Sequence, residues 1–387
     1  MAQMMKLEDC ATIIAGQSPK SEYYNTDGNG LPFFQGKADF GELYPQIRVY
    51  CSNPIKIAEK DDILLSVRAP VGPTNLAPTR VCIGRGLSAI RPNKEIERKY
   101  LLLYFRYFEA QLSSKGTGTT FKAITQQTIR NLEIPVLPLK EQQRIVSRIE
   151  ERFSELDKGV ETLQTIKEQL AVYRQAVLKE ALNGIKGQPY TVKDVCKEIK
   201  VGIVIKPSQY YTDEQVGIKA FRSANVREFH VEDKNWAYLS IAGHQANARS
   251  IVHTGDILIV RSGYPGTACV VPEQFNGCNA IDILIAVPNR DLVLPEFLCA
   301  YTNSPLGKKF VNEKKRGVGQ KHFNVSGYSK MLISVPSLDK QEEIVKKIAS
   351  RLSVCDSIER TVNTALAQAE AMRQSILKKA FEGELCK

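Results

Sequence analysis

The residue patterns that most often carry enzyme chemistry are weak in this sequence. The four histidines, His230, His244, His253 and His322, lack the spacings that hold a metal ion on a helix. The segment Gly84-Arg-Gly86-Leu-Ser-Ala89 fits a dinucleotide-binding glycine pattern, but Pro92 follows too soon for the required helix, which favours a turn between strands. Asn53-Pro54-Ile55-Lys56 lacks the second proline and the aromatic residue of an amino-methyltransferase motif. The nine cysteines form no Cys-x-x-Cys pair, which predicts reduced, mostly buried thiols. We therefore predict no catalytic residues and no metal site.

Two glycine-rich basic segments are stronger candidates for a binding function. They are Gly116-Thr-Gly118-Thr-Thr-Phe121-Lys122 and Lys314-Lys-Arg-Gly317-Val-Gly319-Gln-Lys321-His322. Glycine lets a backbone approach a phosphate, while lysine and arginine supply charge and donors to base edges. Both segments are equally compatible with mobile surface loops. Their recurrence at the same place in an internal repeat favours the binding function.

The repeat covers most of the chain. Residues 139–184 align with residues 338–383 without a gap, with 17 identities in 46 positions. Upstream, Asp62-Ile-Leu-Leu-Ser-Val-Arg68 followed by Gly72 recurs as Asp256-Ile-Leu-Ile-Val-Arg261 followed by Gly266. Solenoid repeats are about 20 to 50 residues long, so this longer period indicates a duplicated domain.

Each copy consists of a globular part and a long helix. Residues 1–138 and 190–337 contain short apolar runs between Gly, Pro and Asn, which are typical of short strands and turns. Apolar residues at steps of three and four predict helices over residues 96–112 and 295–313. The predicted fold class is α+β, with two mixed α/β domains separated by two long antiparallel helices in a pseudo-two-fold internal repeat.

The helical segments are residues 139–189 and 338–387. Each carries one apolar stripe, follows a proline (Pro138 or Pro336) and can end at a glycine (Gly184 or Gly383). A helix of about 40 residues is roughly 60 Å long. On one copy alone such a stripe would indicate dimerisation between chains, but two copies in one chain favour an intramolecular coiled coil. The predicted pairing residues are Ile145, Ile149, Phe153, Leu156, Leu163 and Leu170 on the first helix and Ile344, Ile348, Leu352, Val362, Leu366 and Ile376 on the second.

The positive charge lies mainly in the globular parts. Lysine and arginine number 53 against 42 acidic residues, a net charge of +11, of which residues 1–138 carry +4 and residues 190–337 carry +5. This excess is compatible with ordinary scatter, and also with two surfaces that meet phosphates. The candidate contacts are basic residues beside glycine, asparagine or polar loop residues. They are Lys37, Arg48, Arg68, Arg85, Lys115 and Lys122 in the first domain and Arg222, Arg227, Arg261, Lys315, Arg316 and Lys321 in the second. Arg68 and Arg261 each end a strand-like run, so a structural role is the alternative for both.

The composition and the N-terminus predict a cytoplasmic protein. The chain has 387 residues, 43% hydrophobic and 25% charged, which fits a globular protein of two to three units. Its apolar runs are far shorter than the roughly 20 residues that cross a bilayer. Lys6, Glu8 and Asp9 stand where a secretion signal has its apolar stretch.

Together these features resemble the DNA-specificity (S) subunits of Type I restriction-modification enzymes. The resemblance rests on Ile134-Pro-Val-Leu-Pro138-Leu-Lys-Glu-Gln142-Gln-Arg-Ile145-Val146 and on its repeat over residues 333–345, where Lys340-Gln341 replaces the usual Glu-Gln. It also rests on the Asp-Ile-Leu…Arg…Gly runs and on the Leu-Lys-x-Ala-x-x-Gly helix ends.

The resemblance implies a non-catalytic subunit of a methyltransferase and endonuclease complex. Two target-recognition domains would each read half of a bipartite double-stranded DNA site, and the helices would fix the spacer between the halves. The implied partners are two modification (methyltransferase) subunits, which carry S-adenosylmethionine, and restriction subunits, which use ATP and Mg; this chain itself would bind no cofactor. The residues leave two other classes open: an autonomous DNA-modifying enzyme with a divergent active site, and a coiled-coil scaffold with no nucleic-acid role.

Overall fold

The computed structural model describes residues 3–116, 123–315 and 323–385. The chain divides into two compact units. The first consists of residues Met1–Leu163 and Thr364–Lys387, and the second of residues Gln164–Asn363. Both divisions fall inside long helices, so each unit contains one globular part and a stretch of both helices.

Two helices of 44 residues dominate the helical content. The α-helices of the described residues are α1 Leu7–Cys10, α2 Arg98–Ser114, α3 Gln126–Arg130, α4 Leu139–Leu182, α5 Ile241–Ala246, α6 Pro295–Asn303, α7 Pro305–Lys315, α8 Val325–Ser329 and α9 Leu338–Phe381. Gly184 and Gly383 follow the two long helices with φ of 68° and 79°, a left-handed conformation that glycine adopts without strain. None of the helices in the described ranges is long and apolar enough to cross a membrane.

The prediction of a single helix over residues 295–313 is wrong in one respect. Residues 295–313 form two helices, because Ser304 is extended and Pro305 starts α7. A proline has no N–H for the preceding turn, and the Ser304 hydroxyl instead accepts a hydrogen bond from the Gly307 N–H (3.3 Å). The other predicted helix is confirmed as α2, where the Glu97 carboxylate accepts from the Tyr100 N–H (2.6 Å).

The described residues of the first unit form three sheets. Its strands are β1 Gln3–Lys6, β2 Ala11–Ala15, β3 Tyr24–Asn25, β4 Leu31–Phe34, β5 Tyr50–Cys51, β6 Ile57–Ala58, β7 Ile63–Ser66, β8 Thr74–Leu76, β9 Val81–Ile83, β10 Leu87–Pro92 and β11 Glu133–Val136. A four-stranded antiparallel sheet has the order β2-β10-β7-β8. A five-stranded sheet has the order β3-β5-β4-β9-β6, and β1 pairs with β11.

The second unit repeats this plan. Its strands are β12 Gln188–Thr191, β13 Cys196–Val201, β14 Ile218–Phe221, β15 Ala237–Leu239, β16 Ile257–Val260, β17 Ala268–Val270, β18 Asn279–Ala280, β19 Ile283–Pro288 and β20 Leu332–Val335. The four-stranded antiparallel sheet β13-β19-β16-β17 matches that of the first unit strand for strand. A three-stranded sheet has the order β15-β14-β18, and β12 pairs with β20.

The repeated Asp-Ile-Leu runs are uninterrupted apolar strands because both of their faces are buried. In β7, Ile63 and Leu65 belong to a core that includes α2, while Leu64 belongs to a core shared with the five-stranded sheet. In β16, Ile257 and Ile259 face one core and Leu258 and Val260 face another. Successive side chains of a strand point to opposite faces, so a strand covered on both sides shows no polar alternation.

The long helices pair antiparallel within each unit. In the second unit, the Lys167 Nζ lies 3.1 Å from the Asn363 Oδ1, and the Arg174 Nη2 lies 2.6 Å from the Asp356 Oδ1. In the first unit, Arg373 pairs with Asp157 and lies 5.1 Å from the centre of the Phe153 ring. Partner numbers fall along α9 as they rise along α4. The predicted fold class, with its internal repeat and antiparallel helices, is confirmed.

Candidate nucleic-acid interface

In the first unit, three separate segments meet where β7 ends and β10 begins, at one end of the two central strands of the four-stranded sheet. The Val67 N–H, just after β7, donates to the Gly86 carbonyl (2.9 Å) in the turn between β9 and β10. Arg68 forms an isolated β-bridge with Ala123, the first described residue after the glycine-rich basic segment. We call residues 67–68, 84–86 and 123–124 the first corner. It brings together Arg68, Arg85 and Ala123.

The second unit has the equivalent arrangement. The Phe323 N–H donates to the Arg261 carbonyl (3.2 Å), and Val260 at the end of β16 pairs with Ile283 at the start of β19. Residues 260–262, 281–283 and 323 form the second corner. In both units the first described residue after the basic segment, Ala123 or Phe323, therefore lies beside the end of the repeated Asp-Ile-Leu strand.

The two corners show that Arg68 and Arg261 are not equivalent residues. The Ile124 N–H donates to the Val67 carbonyl (3.0 Å), just as the Phe323 N–H donates to that of Arg261. Arg261 therefore matches Val67, and Arg68 matches the residue after Arg261. The sequence alignment of the two arginines is wrong by one position. Since neighbouring strand residues point to opposite sides, Arg261 takes the inward direction of Val67, which is 6% exposed.

The electrostatic surroundings of the corner arginines differ accordingly. The Arg261 side chain is 14% exposed, donates to the Asp282 carboxylate (2.5 Å) and donates through Nε to the Phe323 carbonyl (3.2 Å). Arg68 and Arg85 are exposed. The structural alternative for Arg261 therefore has a specific partner, and DNA contact by Arg261 stays a prediction.

The other predicted DNA contacts in the described ranges lie apart from the corners or at their margins. Lys37 lines a cleft of about 660 Å³ with Arg106 and Glu109. Burial lowers the pKa of Arg106 and raises the pKa of Glu109. The Arg48 guanidinium donates to the Gln46 side chain (2.9 Å) on an exposed loop.

In the second unit, Arg222 donates to the Asn235 carbonyl, and the exposed Arg227 donates to the Val226 carbonyl (3.1 Å). Lys115, at the end of α2, is exposed beside the first basic segment. Lys122, Arg316 and Lys321 lie outside the described residues, as does the side chain of Lys315, the last residue of α7. All of these DNA contacts stay predictions.

Most of the deeply buried helix-pairing residues lie in the first turns of the two long helices. Ile145 and Ile149 share the first unit's core with Leu377 and Ala380, and with α2 of the globular part. The members that are nine-tenths or more buried are Ile145, Ile149, Leu170, Ile344, Ile348, Leu352 and Val362; Phe153, Leu156, Leu163, Leu366 and Ile376 are half-buried. The expectation that another helix covers the stripe holds only in part, because the globular parts also cover the helix ends.

A buried glutamine at the start of each long helix ties that helix to its globular part. Gln142 donates through Nε2 to the carbonyls of Leu137 (2.6 Å) and Glu95 (2.8 Å), and its Oε1 accepts from the Glu97 N–H (2.8 Å). Gln341 makes the same three bonds in the second unit. Both side chains are 0% exposed. The sequence shows only that this glutamine is identical in the two copies, and that identity was the one indication of its structural role.

The aspartate of each Asp-Ile-Leu run also has a structural role that sequence reasoning missed. The Asp62 carboxylate accepts from the Glu59 N–H (2.8 Å) and forms two 2.8 Å bonds with the Arg91 guanidinium. The Asp256 carboxylate accepts from the His253 N–H at the same distance. Each aspartate therefore fixes the turn that leads into the buried strand.

The described residues contain no arrangement suited to covalent or metal chemistry. The eight cysteines among them are free, and all except Cys196 are buried. Burial raises the pKa of Cys269 to about 12 and that of Cys82 to about 11, so both thiols are protonated and poorly nucleophilic at neutral pH. Within these ranges, no three His, Cys, Asp or Glu side chains lie close enough to hold a metal ion. The two corners are the better candidates for function.

Comparison with known proteins agrees with a recognition role. The chain matches the family described as "Type I restriction modification DNA specificity domain" twice, over residues 2–171 and 186–368. It is 41% identical over 173 residues to the putative type I restriction enzyme MjaX specificity subunit of Methanocaldococcus jannaschii, a match that covers 44% of this chain and 40% of that protein. It is 26% identical over 414 residues to the EcoBI specificity subunit of Escherichia coli, covering 98% of this chain and 85% of that protein.

A solved structure of the HsdS subunit from Thermoanaerobacter tengcongensis is 49% identical over 40% of this chain and 37% of its own, with a TM-score of 0.37. The family matches together cover well over half of the sequence and include both copies of the repeat. The chain therefore belongs to the Type I restriction-modification DNA specificity family, whose members are non-catalytic DNA-recognition subunits.

Proposed function

We propose that this chain is the DNA-specificity subunit of a Type I restriction-modification complex and that each unit reads one half of a bipartite double-stranded site. The observation that carries this proposal is the double family match, one for each copy of the repeat. The corners support it, because each gathers loop segments at the ends of the central strands of a sheet, and the first of them presents the exposed Arg68 and Arg85. Recognition residues are commonly carried on loops that a rigid scaffold positions.

The proposed domain organisation follows the repeat. Residues 1–138 and 190–337 are the two target-recognition domains, and residues 139–189 and 338–387 form the helical spacer. One helical turn of B-DNA is about 34 Å long, so two half-sites on the same face are separated by about that distance or a multiple of it. A helical spacer of fixed length therefore selects the gap between the half-sites. Each residue added to a helix moves the segment after it by about 1.5 Å and rotates that segment by about 100°.

The proposed DNA contacts are the basic residues predicted from the sequence. Contacts to phosphate outnumber contacts to bases in most protein–DNA complexes. We therefore expect most single substitutions among them to weaken binding to all duplexes alike, and only a few to change the preferred sequence.

The proposed partners supply the catalysis that this family leaves to other subunits. Two modification subunits bind the specificity subunit and carry S-adenosylmethionine, and restriction subunits that use ATP and Mg²⁺ join them. The complex acts in the cytoplasm, where it meets the DNA of its host. Relatives named as specificity subunits of type I restriction enzymes support this assignment.

Expression of this chain with a modification subunit, followed by sequencing of methylated bases in the host DNA, tests the proposal. We expect one bipartite motif with a fixed gap, and none when either protein is expressed alone. Methylation by the purified chain with S-adenosylmethionine and DNA would identify an autonomous enzyme instead. Failure of the complex to bind any duplex at low salt would leave a scaffold without a nucleic-acid role.

A further inference from the structure

The two corners carry opposite charges at the same turn. In the first unit the turn between β9 and β10 presents Arg85, and in the second the turn between β18 and β19 presents Asp282. The backbone frames of these turns correspond, because the Gly16 N–H donates to the Leu87 carbonyl (3.0 Å) as the Gly202 N–H donates to the Ile283 carbonyl (2.9 Å). Asp282 therefore matches Gly86, the neighbour of Arg85, and the turn carries a cation in the first unit and an anion in the second.

The first corner has two cationic side chains available to a ligand. Arg68 and Arg85 are both exposed. The ion pairs found among the described residues include neither of them. In sequence, residues 117–122 contain no acidic residue.

The second corner has its cation neutralised and exposes an aromatic ring instead. Arg261 points inward and pairs with Asp282. Three residues further on, Tyr264 is 85% exposed, a larger exposed fraction than that of any other large hydrophobic side chain in the described ranges. Gly72 is equivalent to Gly266, because each donates its N–H to the carbonyl of the last residue of the preceding strand, β7 or β16 (3.0 Å each). Pro70, two residues before Gly72, is therefore the equivalent of Tyr264.

The backbone around Tyr264 forms a hydrogen-bonded turn. The Tyr264 N–H donates to the Ser262 carbonyl (3.1 Å), and the Thr267 N–H donates to the Tyr264 carbonyl (3.3 Å). Gly263 and Gly266 flank the ring with φ of 80° and 89°, values that a turn this tight requires. The ring is therefore presented by an ordered turn beside Arg261.

These two surfaces fit two different parts of a DNA duplex. An unneutralised arginine pair binds phosphate and displaces counterions, so its contribution weakens as salt rises. An exposed aromatic ring gains little from phosphate, but it packs on a base, on a thymine methyl group or between base steps, and that gain depends little on salt.

We propose that the two recognition domains contact DNA at equivalent corners by different chemistry: the first through phosphate contacts of Arg68 and Arg85, and the second through contact of the Tyr264 ring with bases. This inference rests on the proposed function. It adds Tyr264 as a specificity-determining residue of one half-site, and it removes Arg261 from direct DNA contact because Asp282 holds that side chain.

The test measures binding of the full complex with its modification subunit to a fluorescent duplex that contains the methylated motif, over a series of salt concentrations. Replacing Arg68 and Arg85 together by alanine should reduce the slope of log affinity against log salt by about 1 to 2, since each phosphate contact contributes about 0.9. Arg80→Ala is the matched control, because Arg80 is an exposed arginine of the same unit that already pairs with Glu59 (3.3 Å).

Tyr264→Ala should lower affinity by about 5- to 150-fold at every salt concentration, the range expected for one lost base contact, without a change of slope. Tyr264→Phe should restore most of the affinity, because the ring and not the hydroxyl makes the contact. Duplexes altered in one half-site at a time should show lost discrimination in a single half for Tyr264→Ala. An unchanged Trp236 emission profile on denaturation shows that the variant is folded.

Two results would overturn the inference: wild-type affinity and half-site discrimination for Tyr264→Ala, or an unchanged salt slope for the double arginine variant. Either result leaves the proposed function intact as long as the wild-type complex binds and methylates its motif. If the wild-type complex does neither, the proposed function fails first.

Discussion

Replacing Gln341 by alanine should destabilise the second unit far more than an ordinary surface substitution does. Gln341 is 0% exposed and makes three hydrogen bonds: to the carbonyls of Leu292 and Pro336 (2.9 Å each) and from the N–H of Leu294 (2.8 Å). Alanine removes all three and leaves the partners without a replacement. Two of the bonds join the first turn of α9 to the segment that precedes α6, so their loss weakens the attachment of the helix to its globular part.

The expected magnitude depends on the number of bonds. A hydrogen bond contributes about 0.5–1.5 kcal/mol net, and a buried group left unsatisfied costs about as much or more. Three bonds therefore predict a loss of about 2–4 kcal/mol in the free energy of unfolding. With a urea dependence of about 2 kcal/mol per M, the unfolding midpoint should fall by roughly 1–2 M.

Trp236 makes this effect measurable in one unit, because it is the only tryptophan of the chain. Its ring lies in the second unit, 4.8 Å from that of Phe221 and 5.2 Å from that of Phe275, so its emission reports unfolding there. Gln169→Ala is the matched control, since Gln169 is an exposed glutamine of α4 within the same unit. A Trp236 midpoint for Gln341→Ala equal to that of Gln169→Ala would refute the reasoning.

Three further predictions concern stability and reactivity. Arg91→Ala removes both 2.8 Å bonds to the buried Asp62 carboxylate and should cost about 2 kcal/mol by circular dichroism in urea, against less than about 1 kcal/mol for Arg80→Ala, whose ion pair is exposed. Burial raises the pKa of Asp256 above its value in the unfolded chain, which is near 4. The stabilising contribution of Asp256 is therefore complete below pH 4 and is lost as the pH rises through the raised pKa. Over that pH range, the urea midpoint reported by Trp236 should fall less for Asp256→Asn than for the wild type. The seven buried cysteines of the described residues should resist a thiol reagent in the folded protein and react after denaturation, and rapid reaction of the folded protein with more than the remaining two would contradict their burial.

The sequence predicts the fold where its signals repeat. The long helices, their antiparallel pairing and the buried Asp-Ile-Leu strands could all be predicted, because each has a strong periodicity or an apolar run and each appears twice. The break between α6 and α7 could have been predicted too, since Pro305 lies inside the proposed helix. The order of the strands in the sheets could not, because it depends on contacts between distant segments.

The candidate site shows where sequence reasoning ends. The sequence suggests aligning the arginines of the two repeated strands with each other. The backbone hydrogen bonds show instead that Arg261 is equivalent to Val67 and not to Arg68. A shift of one residue in a strand exchanges the buried side for the exposed one. Asp282, which neutralises Arg261, is 21 residues away in sequence, and no local pattern links the two.

The same physics explains why the framework of the two copies stayed alike while their corners diverged. Gln142 and Gln341, and likewise Asp62 and Asp256, are buried with their hydrogen bonds made, so most replacements there cost several kcal/mol. Exposed corner residues such as Arg85 and Tyr264 change at little cost to folding. A duplicated domain can therefore change the charge and shape of its reading surface freely while the helix attachment stays fixed. Differences at the corners, on a shared four-stranded sheet and helix attachment, allow two domains to read unlike half-sites.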